Sequence, residues 1–381
     1  MLIKIGTHCA QSERIKIFFM DGSFKTFQYG REDTLEDLWY TVVQKLGLTN
    51  QAAECFFLWS SCETLELLCY TDETVVECVQ QWPATYGKYH EREIGIIKES
   101  AYALKKLRHK DLPELQLTFR TTSILPLSQE RNIKDPMAIH LFYIQAVFNV
   151  IESNYPCEPD VAAGLAGLQM QLTLGDHKPD THTPEYLNRF VKAYMRSSKW
   201  RNRIIEEHKR HTGKDKLILQ LLYLQLVRQW PYYGSTFFKA EYLPVTQSFY
   251  KQPFEGEVRI GINMYGLHII DPKRMIMNTY TYTDLKEWES DKDLFYFLTP
   301  KGEVKKHIYK TPQANLVNDL LWDVISDLAQ HVKKIDTIRE KQGGSRIVTQ
   351  KAIETKYRNT VLSPFHEDSS ATKGKEKEEQ L

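Results

Sequence analysis

Basic residues crowd one short span of this chain: Lys192, Arg196, Lys199, Arg201, Arg203, Lys209, Arg210 and Lys214, opposed only by Glu206 and Glu207. Cations at that density suit the holding of anions, either lipid headgroups at about 1 kcal/mol per basic residue near a charged leaflet, or an acidic peptide. Lys199, Arg201, Arg203, Lys209 and Arg210 form the candidate lipid-binding set. The plainer reading of the same residues is a solvated helix face with Glu206 and Glu207 paired locally. Nucleic acid is not an expected partner, because the nearby aromatics fall in core stripes and no recognition-helix or aromatic-platform motif occurs.

Other polar residues offer less. His177 and His182 share a loop with Asp176 and Asp180, while His208 and His211 lie three apart in a helical pattern. Neither set supplies four ligands at a known metal spacing, so no metal is expected. HExxH, GxxxxGK[ST] and GxSxG motifs are all missing. The six cysteines form no CxxC pair and read as reduced thiols. No cofactor and no catalysis are therefore expected, and the chain reads as one that presents surfaces.

Several elements must position those surfaces. The 381 residues are enough for two or three domains, and the apolar fraction of 42% with 26% charged residues is that of a globular protein. Net charge is +1, so an anionic partner must be met by a local patch. No apolar run reaches bilayer length and the first residues lack the apolar core of a secretion signal, which predicts a cytoplasmic location.

Residues 14–29 read as a hairpin turning at Asp21-Gly22. A helix follows, capped by Thr34 with Asp37, striped by Leu35, Leu38, Trp39, Val42, Val43 and Leu46, and stopped by Gly47. Two further strand-like runs and LPELQLTFR at 112–120 complete the pattern of a ubiquitin-like roll. The segment 71–111, with its basic run at 105–110, is longer than such a roll needs. A helical unit comes next. Asp135 and Pro136 start its first helix, and 161–172 gives a second in which Gly164 and Gly167 suit close packing. Thr183-Pro184 opens a third and SKWRNRIIEEHKRHTG supplies a fourth. The leucine-rich run 216–229, apolar nearly all round, is expected at the centre of the bundle. Beyond PYYG the period changes to two. Seven strand candidates then precede one long helix striped by Leu316, Val317, Leu320, Leu321, Val324, Ile325, Leu328 and Val332, the pattern of a pleckstrin-like sandwich plugged by its last helix. The expected division is 1–126, 127–234 and 235–337, with a charged, flexible tail over 338–381.

A multidomain α+β chain in that order resembles the FERM module: a ubiquitin-like lobe, an acyl-CoA-binding-protein-like helical lobe and a pleckstrin- or phosphotyrosine-binding-like lobe. The local matches are LQLTFRTTSILP, LFYIQAVFNVIESNYPC, AAGLAGLQMQLTLGDH, the helix led by Trp200, and the YYGSTFF turn. The modules of myosin tails and of small adaptor FERM proteins are the most similar. The resemblance implies an adaptor at the inner membrane face or cortical cytoskeleton, with cytoplasmic tails of membrane proteins and anionic phospholipids as partners, and a small GTPase or cytoskeletal protein as further ones. A scaffold linking membrane to actin or a motor is the alternative it allows. It further implies an extended peptide added to one sheet edge of the third lobe at Leu285-Lys286-Glu287-Trp288-Glu289, beside the last helix. The expected peptide contacts are Lys286, Trp288, Leu321, Val324 and Leu328, although the three aliphatics also read as the plug itself.

Overall fold

In the computed structural model the described residues are 13–62, 65–90, 113–187, 198–244, 256–273, 276–300 and 305–341. The basic run 105–110, Lys192, Arg196 and the tail beyond 341 lie outside them.

The hairpin forms as its turn chemistry requires. β1 (Glu13–Phe18) and β2 (Phe24–Tyr29) pair antiparallel, and Gly22 takes a φ of 81° in the turn. The helix α1 (Leu35–Leu46) begins with a reciprocal capping box, the Thr34 side chain accepting from the Asp37 amide, and ends at Gly47 with φ 70°. After the short α2 (Asn50–Ala53) come β3 (Phe57–Ser61), β4 (Glu66–Leu68) and β5 (Gln116–Arg120). The sheet order is β2-β1-β5-β3-β4, with β1 and β5 parallel at the centre. The long segment after β4 holds a helix that sequence periodicity missed, α3 (Val75–His90). Its signal was local: Thr74 and Glu77 form a second capping box, with Thr74 N to Glu77 Oε2 at 3.0 Å and Glu77 N to Thr74 Oγ1 at 3.1 Å.

The helical unit comprises α4 (Leu127–Asn132), α5 (Pro136–Ile151), α6 (Pro159–Leu174), α7 (Pro184–Leu187), α8 (Ser198–Lys209) and α9 (Lys216–Val227). Asp135 caps α5 through Met137 N and Ala138 N, and its other oxygen accepts from Thr49 N at 2.8 Å, which ties the unit to the first sheet. Phe56 stacks between Phe119 and Phe142, so one apolar core runs through both. Gly167 has the expected role: a Cβ there would stand 2.6 Å from Glu207 Cβ on α8, whereas Gly164 meets nothing. The leucine-rich helix corrects its expectation. α9 buries Leu219, Tyr223, Leu224 and Val227, but Ile218 is 52% exposed and Leu221 39%, so it flanks the bundle with one face in water.

The third unit has seven antiparallel strands: β6 (Thr236–Leu243), β7 (Glu257–Asn263), β8 (Gly266–Asp271), β9 (Ile276–Tyr280), β10 (Glu287–Asp291), β11 (Leu294–Thr299) and β12 (Lys305–Lys310). Their order is β10-β11-β12-β6-β7-β8-β9, and α10 (Ala314–Lys341) closes the sandwich. Ala314, Val317, Leu321 and Val324 are wholly covered, packed with Phe295, Phe297 and Tyr309.

A buried polar joint connects the units. Glu130 Oε1 accepts from Arg228 Nε at 2.8 Å, from Arg228 Nη2 at 2.7 Å and from Tyr233 Oη at 2.6 Å. Asn263, at the end of β7, donates to Pro231 O and Tyr233 O, both at 2.9 Å. Removing one partner of a buried pair strands a charge, so Glu130→Gln and Arg228→Met are each expected to lower unfolding free energy by about 3 kcal/mol or more. The double variant, with no charge left unpaired, should lose less than the two singles combined. Denaturant titration of the four proteins checks this, and strict additivity would remove the coupling.

Candidate functional site

The edge strand and the closing helix make one wall. Among the described residues β10 hydrogen-bonds only to β11, so its far side is open. Alternation along β10 leaves Glu287, Glu289 and Asp291 exposed, while Trp288 and Ser290 are half-buried on the side of α10. Ser290 Oγ and Asn315 Oδ1 are 2.9 Å apart, and the rings of Trp288 and Trp322 lie 5.0 Å apart. Trp322 is 54% exposed. The Trp288 indole N–H is covered and has no acceptor among the described residues. Tyr296 on β11 donates its hydroxyl to Glu289.

The expected peptide contacts divide on this geometry. Lys286 is exposed at the start of the edge and Trp288 belongs to the wall. Leu328 is partly covered and remains at the lip. Leu321 and Val324 have 0% exposure, which corrects their expected role: they are the plug, and a peptide could reach them only by displacing the helix from the sheet. Trp322 was overlooked. It sits one residue past Leu321, off the apolar stripe, and a large aromatic on the polar face of an amphipathic helix was the available signal.

The basic set is largely paired. Lys199 lies in α8, but its side chain falls outside the described residues, and Arg201 is half-buried. Arg203 pairs with Asp160 on α6, Lys209 with Glu206 at 2.8 Å and Arg210 with Glu207 at 2.6 Å. The basic side chains sit on the surface, with exposures of 48%, 47% and 68% for Arg203, Lys209 and Arg210; of the carboxylates, Asp160 and Glu206 are exposed and Glu207 is mostly covered at 18%. Exposed pairs contribute little, about 0–1 kcal/mol each, so an incoming phosphate competes with them at small cost.

Histidines that sequence spacing kept apart come together here. The ring centroids of His177, His182 and His208 lie 5.4 to 5.8 Å from one another. His208 Nε2 contacts Gly175 O at 2.8 Å and Lys178 N donates to His182 Nδ1, which fixes the loop onto α8. No group among the described residues meets the requirement for holding a metal ion. A concavity of about 560 Å³ lies elsewhere, between the β1–β2 turn and α5, α6 and α9, lined by Met20, Tyr143, Val147, Phe148, Leu172 and Gln220. No described helix is long and apolar enough to cross a membrane.

A roll, a helical unit and a plugged sandwich with an open edge define a three-lobed module of the FERM class, and comparison with known proteins agrees. Residues 128–238 match the FERM central domain, 256–320 the KRIT1/FRMD8 FERM domain C-lobe, and 11–105 an RA like domain. FERM domain-containing protein B of Dictyostelium discoideum is 32% identical over 421 residues, covering 84% of this chain and 88% of that one. The chain belongs to the FERM domain family. A talin of Oscarella pearsei is 24% identical across 74% of this chain, which spans 11% of that talin. The human myosin 7b C-terminal MyTH4-FERM structure, solved in complex with the harmonin-a PDZ3 domain, superposes with a TM-score of 0.62 at 19% identity, covering 83% of this chain and 60% of that one.

Two buried histidines make the third lobe acid-sensitive. Burial, then nearby Lys305, pushes His307 down to about 4, and burial alone pushes His268 to about 3. Both are neutral when folded and ionise when unfolded below about pH 6.5, so the unfolded state binds more protons and acid destabilises the fold. Stability should fall as pH drops from about 6.5 toward 4, with a slope approaching about 1.4 kcal/mol per pH unit for each histidine. Chemical denaturation from pH 7.5 to 4.5 reads that slope, and His307→Phe should flatten it.

Proposed function

We propose that this chain is a non-catalytic FERM adaptor that works at the cytoplasmic face of a membrane, where its third lobe takes up an extended segment from the tail of a membrane protein. The observation carrying this reading is the open edge of β10 beside an exposed tryptophan on α10. An added strand would bond to the free backbone side of β10 and lay alternate side chains against Trp288, Trp322 and Leu328. The basic helix α8 and Lys199, Arg201, Arg203, Lys209 and Arg210 would give contact with anionic headgroups, after exchange of the carboxylates of Asp160, Glu206 and Glu207 for phosphates. Likeness to a talin and to a myosin tail module supports work at the cortex, with a cytoskeletal scaffold as the second reading. A small-GTPase partner for the first lobe is supported by the RA like match.

Two experiments separate the parts. Trp322→Ala should reduce capture of tail peptides about tenfold or more, in the range of an aromatic hot spot, and leave the melting temperature nearly unchanged because the ring is mostly in water. Equal capture by the variant would remove the edge reading. Changing Lys199, Arg201, Arg203, Lys209 and Arg210 to glutamate should abolish sedimentation with liposomes containing acidic lipid, and undiminished sedimentation would dismiss α8 as the lipid surface.

A further inference from the structure

The wall around the open edge carries more acidic than basic residues, although Lys306 of β12 lies over the ring of Tyr296, 3.7 Å from its centroid. From Lys286 to Asp293 two lysines face four carboxylates, and from Thr311 to Gln330 there are three aspartates with no lysine or arginine. The excess within these two stretches is five negative charges in a chain whose net charge is +1, and one of the five, Asp293, faces Lys310 of β12 at 4.0 Å. Position matters more than number. Glu287, Glu289 and Asp291 occupy every exposed place on β10, at i, i+2 and i+4, so all three point to one face of the sheet. Asp319 and Asp323 are exposed on α10 on either side of Trp322. No ion pair among the described residues neutralises Glu287, Asp291, Asp319 or Asp323. Burial, then the charge of Asp319, raises the Asp323 carboxyl above its usual range.

Charges on an edge strand guard against pairing with other chains. Here they are all of one sign and set on one face, with an aromatic pair on the other. That arrangement selects a partner as well as excluding most. A strand laid along β10 alternates in the same period, so every second side chain falls beside the carboxylates and the intervening ones fall toward Trp288 and Trp322. The covered, unpartnered indole N–H of Trp288 gives the second side a use, since a strand carbonyl can accept from it once Trp322 swings outward.

We propose that the segment taken up by the β10 edge is a basic peptide of another protein, with lysine or arginine at every second position and apolar residues between them. This rests on the edge-addition reading above and adds the charge and spacing of the ligand. The apolar set packs on the two tryptophans, and the basic set pairs with Glu287, Glu289 and Asp291. Lysine or arginine at the peptide ends meets Asp319 and Asp323.

Fluorescence anisotropy on the full chain tests it with four labelled seven-residue probes: alternating lysine–valine, alternating glutamate–valine, alternating threonine–valine, and lysine and valine in two blocks. The alternating basic probe should bind about tenfold tighter than the neutral one, from three cross-strand ion pairs, and its affinity should fall with salt. The acidic and blocked probes should bind weakest. The variant Glu287→Lys, Glu289→Lys, Asp291→Lys, changed only at exposed positions, should reverse the order of the basic and acidic probes. Equal binding of neutral and basic probes that is lost in Trp322→Ala overturns the charge inference and leaves the edge reading standing. Failure of all four to bind, or binding untouched by both variants, overturns the two together.

Discussion

The carboxylate of Glu130 constrains how the lobes of this protein meet. It is 5% exposed, and a charge so placed costs several kcal/mol unless its bonds are complete. Completion needs Arg228 at the end of α9 and Tyr233 in the turn to β6, separated from it by 98 and 103 residues. Burial, then the Glu130 charge, holds the Tyr233 hydroxyl well above its ordinary range, so it stays a donor. The carboxylate is satisfied only when the helical lobe has closed on itself and delivered the chain to the third lobe in one orientation. The aromatic rings of Trp230, Tyr232, Tyr233 and Phe237 pack around Tyr155, whose hydroxyl accepts from Gly234 N at 2.8 Å. That packing removes the water that would otherwise relieve a misplaced charge.

The joint reaches the open edge through the sheet. Tyr233 precedes β6, and β6 sits between β12 and β7 at the middle of the seven strands. Fixing the start of the central strand fixes the register of its neighbours and hence where β10 ends up. The helix α10 then serves two purposes by its period alone. Val317, Leu321 and Val324 recur on the inner face and close the barrel, while Asp319, Trp322 and Asp323 fall outside it. Changing the inner set would unfold the lobe. The outer set lies at exposed positions, where substitution costs little stability.

Much of this was readable because local chemistry and tertiary need agree. Thr34 with Asp37, Gly47, Asp135 with Pro136 and the seven alternating runs each announce an element, and each is present. The missed helix α3 has mixed polarity and carries Pro83, so its periodicity is weak and only the Thr74–Glu77 cap announces it. The exposed apolar side of α9 was misjudged because a uniformly apolar helix says nothing about which face is covered. At the site, the edge strand was expected from the family resemblance, and the sequence left open which residues of α10 are plug and which are lip. That depends on which turn of the helix meets the sheet, a matter of three dimensions. The pairing of Arg203 with Asp160 is likewise invisible in sequence, since the partners lie on different helices.

In physiological salt, screening reduces the influence of a charged surface beyond about 8 Å, so the basic helix α8 and the acidic edge of β10 each act on nearby charges. On the reading proposed above, this sets a competition at the membrane. Segments just inside a bilayer are rich in lysine and arginine. They are also held by the leaflet itself, at about 1 kcal/mol per basic residue. Cross-strand ion pairs on the β10 edge supply a comparable or smaller amount, about 0.2–1 kcal/mol each, so charge alone would not draw such a segment off the lipid. The balance must come from what the leaflet lacks: a row of backbone donors and acceptors at about 0.5–1.5 kcal/mol per bond, and an aromatic wall for the intervening side chains. On that reading, charge on this edge would decide which segment is taken, while the backbone of β10 and the Trp288–Trp322 pair would decide whether any segment is.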